Sequence, residues 1–250
     1  MNRTLTWIAP GDPLPPTGLA LTPEEGANGL LAAGADLSSA RLIEAYQRGV
    51  FPWFSKGEPV LWWTPDPRMV LQIAQFRISK SFSKTIQRAL SDPELEIRSD
   101  DDFEAVMRAC AEARPGQSGT WISDPMIQSY CDLHAQGLAH SVTLHRGGDL
   151  IGGLYCVAIG KMVFGESMFS RMPNSSKLAL AALVGWLRSQ GGQVIDCQQK
   201  TEHLASLGAQ EIRRQEFESI VQDLTRLNTL AWSTAPVSKT DLARLTHVAP

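Results

Sequence analysis

No stretch of this 250-residue chain is apolar for long enough to cross a bilayer. The longest helix-like apolar run, residues 178–187 between Lys177 and Arg188, falls well short of the roughly 18 to 20 residues a span requires. The N-terminal stretch MNRTLTWIAPGDPLPP has no continuous apolar core and is broken by prolines, so it does not read as a secretory signal. The cytoplasm is the expected location, with no membrane partner. Cysteine is sparse. Cys110, Cys131, Cys156 and Cys197 stand far apart, with no CxxC and no paired-histidine spacing, which excludes a disulfide framework and a zinc site and leaves reduced thiols. His134, His140 and His145 likewise match no common metal motif. Gly152 and Gly153 in DLIGGLYCVAIG belong to neither a GxGxxG nor a phosphate-binding lysine motif, so no nucleotide cofactor is indicated. Excess positive charge is missing too. With a formal net charge of -3, any nucleic-acid partner has to meet a local basic patch.

What is present is enough apolar residue, 43% of the chain, to bury a substantial core. About the first 35 residues, rich in Pro and Gly, read as an irregular arm. Ser38 or Ser39 then caps a helix whose apolar side is Leu42, Ile43 and Tyr46, and Gly49 ends it in a left-handed turn. PVLWWTPDPRMVLQI is extended, and Asp100 is expected to cap a helix bearing Phe103, Val106, Met107 and Cys110. From His140 the period changes: HSVTLH, DLIGGLYCVAIG and KMVFGESMF are strand-like runs of an antiparallel meander. A helix capped at Ser175 or Ser176, a strand QVIDCQ and a short helix around His203 follow. The expected class is α+β, with a small N-terminal α+β domain over residues 1–94 and a C-terminal domain over residues 95–250.

On a strand alternate residues share a face, which groups Met162, Phe164, Glu166 and Met168, and separately puts Asp196 with Gln198 and turns Cys197 away. Glu166 and Asp196 could be a solvated polar face. Their apolar neighbours instead suggest buried charge, and a buried unpaired carboxylate costs several kcal/mol, so a cationic partner is expected. Ser167, Asp196 and His203 follow the chain order of an α/β-hydrolase triad, yet Phe169 stands where the GxSxG elbow needs its last glycine. One basic feature stands out. Arg68, Arg77, Lys80, Lys84 and Arg88 occur without an acid between residues 68 and 91, and the last three share one helical face. Such a stripe is either a solvated surface or a phosphate-backbone contact. Trp53 in FPWF and Trp121 in SGTWIS lie in loops where an aromatic ring can stack on a base, whereas Trp186 inside a helix reads as core.

AYQRGVFPWFS, LWWTPDPR, GTWI, LHAQGLAHSV, IGGLYCVAIG, FGESMFSRMPNSSKLAL and VIDCQ followed by HLASLGA occur in this order. Over residues 28–216 the chain thereby resembles the bacterial leucyl/phenylalanyl-tRNA-protein transferase family. The resemblance implies a C-terminal domain with a GNAT-like acyltransferase fold and a mixed, mainly antiparallel sheet. It implies transfer of Leu or Phe, less readily Met, from aminoacyl-tRNA to the N-terminal Arg or Lys of an acceptor protein, marking it for degradation; a monomer without cofactor or metal is expected. Glu166, Asp196 and Gln198 then match the family's active-site polar residues, Trp53 and Trp121 those that hold the terminal adenosine. Leu154, Met168, Leu180 and Ile195 match its side-chain pocket. Arg77, Lys80, Lys84 and Arg88 are expected to meet the tRNA backbone. Asp196 is expected to accept a hydrogen bond from the acceptor amine or to act as its base, with Gln198 orienting it. Val163, Cys156 and Thr143 depart from the family pattern and leave the Leu-versus-Phe preference open. A serine hydrolase using Ser167, and a binding module without catalysis, remain as alternatives.

Overall fold

The Ser38 hydroxyl accepts a hydrogen bond from the Arg41 N–H and starts α1 (Ser39–Gln47), and Gly49, at φ 69°, turns the chain away after it, as the capping pattern predicts. The structure, a computed structural model, describes residues 5–34, 36–112 and 120–246. Ahead of α1 the Pro- and Gly-rich arm is less irregular than expected. It supplies β1 (Thr6–Trp7) and β2 (Leu30–Ala33), which join β3 (Phe51–Pro52) and β4 (Leu61–Trp63) in a small sheet of order β1-β2-β4-β3.

The larger sheet has seven strands in the order β11-β5-β10-β9-β8-β7-β6. They are β5 (Arg68–Gln72), β6 (Leu95–Ser99), β7 (Ala139–Arg146), β8 (Asp149–Ile159), β9 (Met162–Ser170), β10 (Val194–Gln198) and β11 (Gln210–Ile212). The expected meander is β7-β8-β9, and among the described residues the only parallel neighbours in this sheet are β9 and β10. β5 lies inside the sheet, so a division at residue 95 cuts through it. The extended run after Pro67 is apolar on both faces, which suits an interior strand.

Two cores lie on the two faces. On one, α1, α3 (Phe103–Ala111), α4 (Asp124–Ala135), α7 (Arg214–Leu224) and the small sheet bury Tyr46, Trp62, Phe103, Tyr130 and Phe217. On the other, α2 (Lys80–Ser91), α5 (Ser175–Gln190) and α8 (Lys239–Arg244) bury Phe82, Ile86, Leu183, Trp186 and Leu242. α6 (Glu202–Ser206) packs beside them through Leu204. Trp186 is core, as read from the sequence. The C-terminal segment, for which the sequence offers no role, docks here through Leu230, Trp232, Val237 and Leu245. A side chain at Gly185 would run into the Asp241 carbonyl, so the bare backbone lets α8 sit on α5. Asp100 does not cap α3. Asp102 does, accepting from Ala105 N–H, while Asp100 takes φ 58° and accepts from Ser141 N–H and from His140 Nδ1. Among the described residues no helix is long and apolar enough to cross a membrane.

Candidate active site

β9 and β10 pair side by side only at Val163–Ile195 and Phe164–Asp196. Beyond those pairs both strands line a cavity of about 840 Å³. Glu166, Asp196 and Gln198 line it, as do Leu154, Met168, Leu180 and Ile195. Trp53 and Trp121 stand on its wall as well. Nine residues singled out in the sequence thus converge, although they come from distant parts of the chain. Arg77, Lys80, Lys84 and Arg88 do not. They are exposed along α2 and the turn before it, with Phe82, Ile86 and Ala89 facing the core.

The face pattern of β9 needs a correction. Tyr155 pairs with Ser167 and Cys156 with Gly165, so Glu166 is the extra residue of a β-bulge. Strict alternation holds only up to it. Met162 and Phe164 pack in the core containing Tyr46, whereas Met168 packs against the opposite core, with Val163 and Leu180. The bulge aims the Glu166 carboxylate at the tyrosines: Tyr46 donates to Oε1 at 2.7 Å and Tyr130 to Oε2 at 3.2 Å, while the two hydroxyls lie 2.5 Å apart. The Gln198 amide Nε2 adds a bond to Oε1 at 3.2 Å, leaving its carbonyl oxygen free to accept. Burial pushes the Glu166 carboxyl up to about 7 against the pull of Tyr46 and Tyr130, and the negative charge of Asp196 adds to the rise. Burial beside Glu166 in turn pushes both tyrosines well above the usual phenol range.

Asp196 is expected to need a cationic partner. It already has one. Arg68 reaches it from β5 as a two-pronged pair, Nε to Oδ1 at 2.8 Å and a terminal nitrogen to Oδ2 at 2.6 Å, with both side chains at most 1% exposed. The guanidinium is sandwiched between the rings of Phe51, 4.7 Å away, and Phe217, 4.5 Å away. Asp196 also accepts the Gln198 N–H at 2.9 Å across a register shift, and Gln198 itself takes φ 61°. Both Asp196 oxygens are thereby engaged within the protein. Arg68, Tyr46 and Tyr130 were not recognised as site residues. Tyr46 read as the apolar side of a helix and Arg68 as part of the basic run, and only the placement of β5 beside β10 reveals the latter's role.

Ser167, His203 and Asp196 all line the cavity, but no hydrogen bond joins Ser167 to His203 or His203 to Asp196 among the described residues, and Asp196 is committed to Arg68. Burial pushes the Cys197 thiol far up, which removes it as a nucleophile. Asp100, His134 and His140 offer ligand atoms within 4.8 Å of one another, yet off the cavity. His134 stacks on Phe103 and His140 on Trp232, and Asp100 accepts from His140 and from Ser141 N–H.

A family model described as "Leucyl/phenylalanyl-tRNA protein transferase" matches residues 70–222, and one described as its N-terminal domain matches residues 35–66. A leucyl/phenylalanyl-tRNA--protein transferase of Burkholderia ambifaria (strain MC40-6) is 54% identical over 227 residues, covering 90% of this chain and 89% of the relative. One of Cupriavidus metallidurans (strain ATCC 43123 / DSM 2839 / NBRC 102507 / CH34) is 52% identical over 247 residues, 98% of each. Among solved structures, a GCN5-related N-acetyltransferase-like protein from Streptococcus suis 89/1591 is 14% identical with a TM-score of 0.33, covering 80% of this chain and 74% of that one.

Proposed function

This chain belongs to the leucyl/phenylalanyl-tRNA protein transferase family, and from that premise we propose how its cavity passes an aminoacyl group from tRNA to a protein. The donor is Leu or Phe, less readily Met, esterified to the terminal ribose. The acceptor is the α-amine of a protein beginning with Arg or Lys, which the added residue marks for degradation. The convergence of Trp53, Trp121, an apolar slot and the Glu166–Gln198 pair on one cavity carries this reading.

Trp53 and Trp121 stack on the terminal adenosine, and the amino-acid side chain enters the slot of Leu154, Met168, Leu180 and Ile195. The acceptor amine donates hydrogen bonds to Glu166 and to the Gln198 carbonyl oxygen. An α-amine titrates at about 7.7 to 8.0, so roughly a tenth is neutral at pH 7 and only modest base assistance is needed. As the nitrogen attacks the ester carbon, the C–N bond forms, Glu166 accepts the amine's proton, and the ribose oxygen leaves and is protonated in turn. A carboxyl near 7 is well matched to that traffic. The tyrosines, Asp196 and Arg68 fix the geometry, which supplies much of the acceleration. An ester is already activated, so the chemistry calls for no cofactor. All these residues come from one chain, which suits a monomer, and the tRNA donor suits the cytoplasm.

Purified protein mixed with labelled leucyl-tRNA and an Arg-initiated peptide should move label into the peptide. Ser167→Ala should keep the greater part of that activity. Label released as free leucine, lost in Ser167→Ala, would instead mean a hydrolase. Label that stays on bound tRNA would mean a binding module.

α2 packs near the cavity through its core face, since Lys177 sits 4.6 Å over the Phe82 ring while its neighbour Ser176 lines the cavity, and its outward basic stripe is the surface proposed for tRNA. The tRNA backbone runs along it. Lys84→Ala with Arg88→Ala should weaken tRNA binding and reduce the slope of log affinity against log salt by roughly 1 to 2, one unit or slightly less per phosphate contact. Titrations at several salt concentrations measure it. An unchanged slope would free α2 from this role.

A further inference from the structure

Three acids line the cavity among the described residues: Glu112, Glu166 and Asp196. Asp196 is engaged by Arg68 and by Gln198 N–H, while Glu166, held by the uncharged Tyr46, Tyr130 and Gln198, is the group assigned to the acceptor's amine. With Asp196 paired to Arg68 and Glu166 given to the chain end, neither is left for a second cation. Yet an acceptor beginning with Arg or Lys brings two positive groups, the chain end and the side chain.

Glu112 stands at the outer rim, just past α3, with its side chain 57% exposed, and pairs with Arg171 at 2.5 Å. Arg171 follows β9, its guanidinium lies 5.5 Å from the centre of the Phe169 ring, and it also donates to the Leu150 carbonyl at 3.3 Å. Phe169, Glu112 and Arg171 all belong to the cavity wall that also carries Glu166. A guanidinium between a carboxylate and an aromatic face is the setting an incoming arginine would seek, and a lysine ammonium can use both features too. The Glu112–Arg171 pair is exposed on both sides, and pairs of this kind hold weakly. It can open at little cost.

We propose that Glu112 and Phe169 form the subsite for the acceptor's basic side chain, and that Arg171 occupies it as an internal stand-in that the acceptor displaces. This rests on the aminoacyl-transfer reading above. Glu166 and Gln198 then read the chain end, and the rim reads the first residue's charge. The two recognitions are separable.

The test uses the full-length protein, leucyl-tRNA and two peptides differing only in an N-terminal Arg or Ala. Glu112→Gln should raise KM for the Arg peptide about tenfold, chiefly without lowering kcat, and narrow the Arg-over-Ala preference by a similar factor. Arg171→Ala should lower KM for the Arg peptide several-fold more than for the Ala peptide, a selective gain that a purely structural role would not give. If Glu112→Gln slows both peptides equally, or leaves the preference as it was while both are still leucylated, the subsite is wrong and the transfer reading stands. If the unaltered protein labels neither peptide, the transfer reading fails and the subsite goes with it.

Discussion

Replacing Arg68 with methionine is expected to cost about 3–5 kcal/mol of folding free energy and to abolish transfer, because it strands the Asp196 carboxylate, which has no exposed surface, without a counter-charge. Arg68→Lys should fail as well. An ammonium cannot make the two-pronged pair with both carboxylate oxygens, nor lie flat between Phe51 and Phe217. The informative variant is the double one, Arg68→Met with Asp196→Leu. It removes both charges, so most of the lost stability should return, yet transfer should stay absent because Gln198 N–H has lost the oxygen that holds it at φ 61°. Urea unfolding midpoints and the transfer assay read the two effects apart. Full transfer in either Arg68 variant would show that the ion pair does not position Gln198.

Glu166→Gln should lower transfer by about a hundredfold or more, the usual worth of a positioned acid–base group, and at the same time make the protein more stable in mild alkali. Burial raises the Glu166 carboxyl from 4.5 to about 7 on folding. Between those values the folded state holds a proton that the unfolded chain has released, so the folded state is favoured at the acid end of the window. Stability therefore falls as pH rises through that window, by up to roughly 3 kcal/mol. In Glu166→Gln that fall should be absent, so the two proteins should differ little in stability near pH 4 and diverge by pH 8. Transfer by the unaltered protein should rise with pH through about 7, as the carboxyl ionises and gains the capacity to take the amine's proton, until the amine's own titration takes over. The substituted protein should lack the lower inflection. Parallel denaturation curves at pH 5, 6, 7 and 8 would decide it: an unchanged pH slope would mean that Glu166 is not the titrating group.

Both expectations depend on contacts that local pattern reading could not supply. The meander β7-β8-β9, the α1 cap at Ser38, the turn at Gly49 and the end of α5 at Gly191 were legible because periodicity and capping act within a few residues. The residue types of the site were legible as well. Carboxylates among apolar neighbours on strands, and tryptophans in loops, are unusual enough to stand out in one sequence. The β9 bulge was not. It depends on how β9 registers against β8, and it moved Met168 to the opposite face from Glu166. Asp100 was misread for a similar reason: its carboxylate serves Ser141 and His140, far along the chain, in place of the adjacent helix.

By itself the sequence determined the chemistry available here: which acids, amides, aromatic rings and apolar side chains the chain could bring to a site, and the family whose ordered motifs it carries. Tertiary structure alone decided how those groups were assigned. Residue 68 meets residue 196 only because β5 lies beside β10, and that meeting gives one conspicuous acid a buried cationic partner while Glu166 is held by uncharged groups alone. Strand order and register are settled by burial and backbone pairing across the whole chain, and neither is written in any short stretch of it.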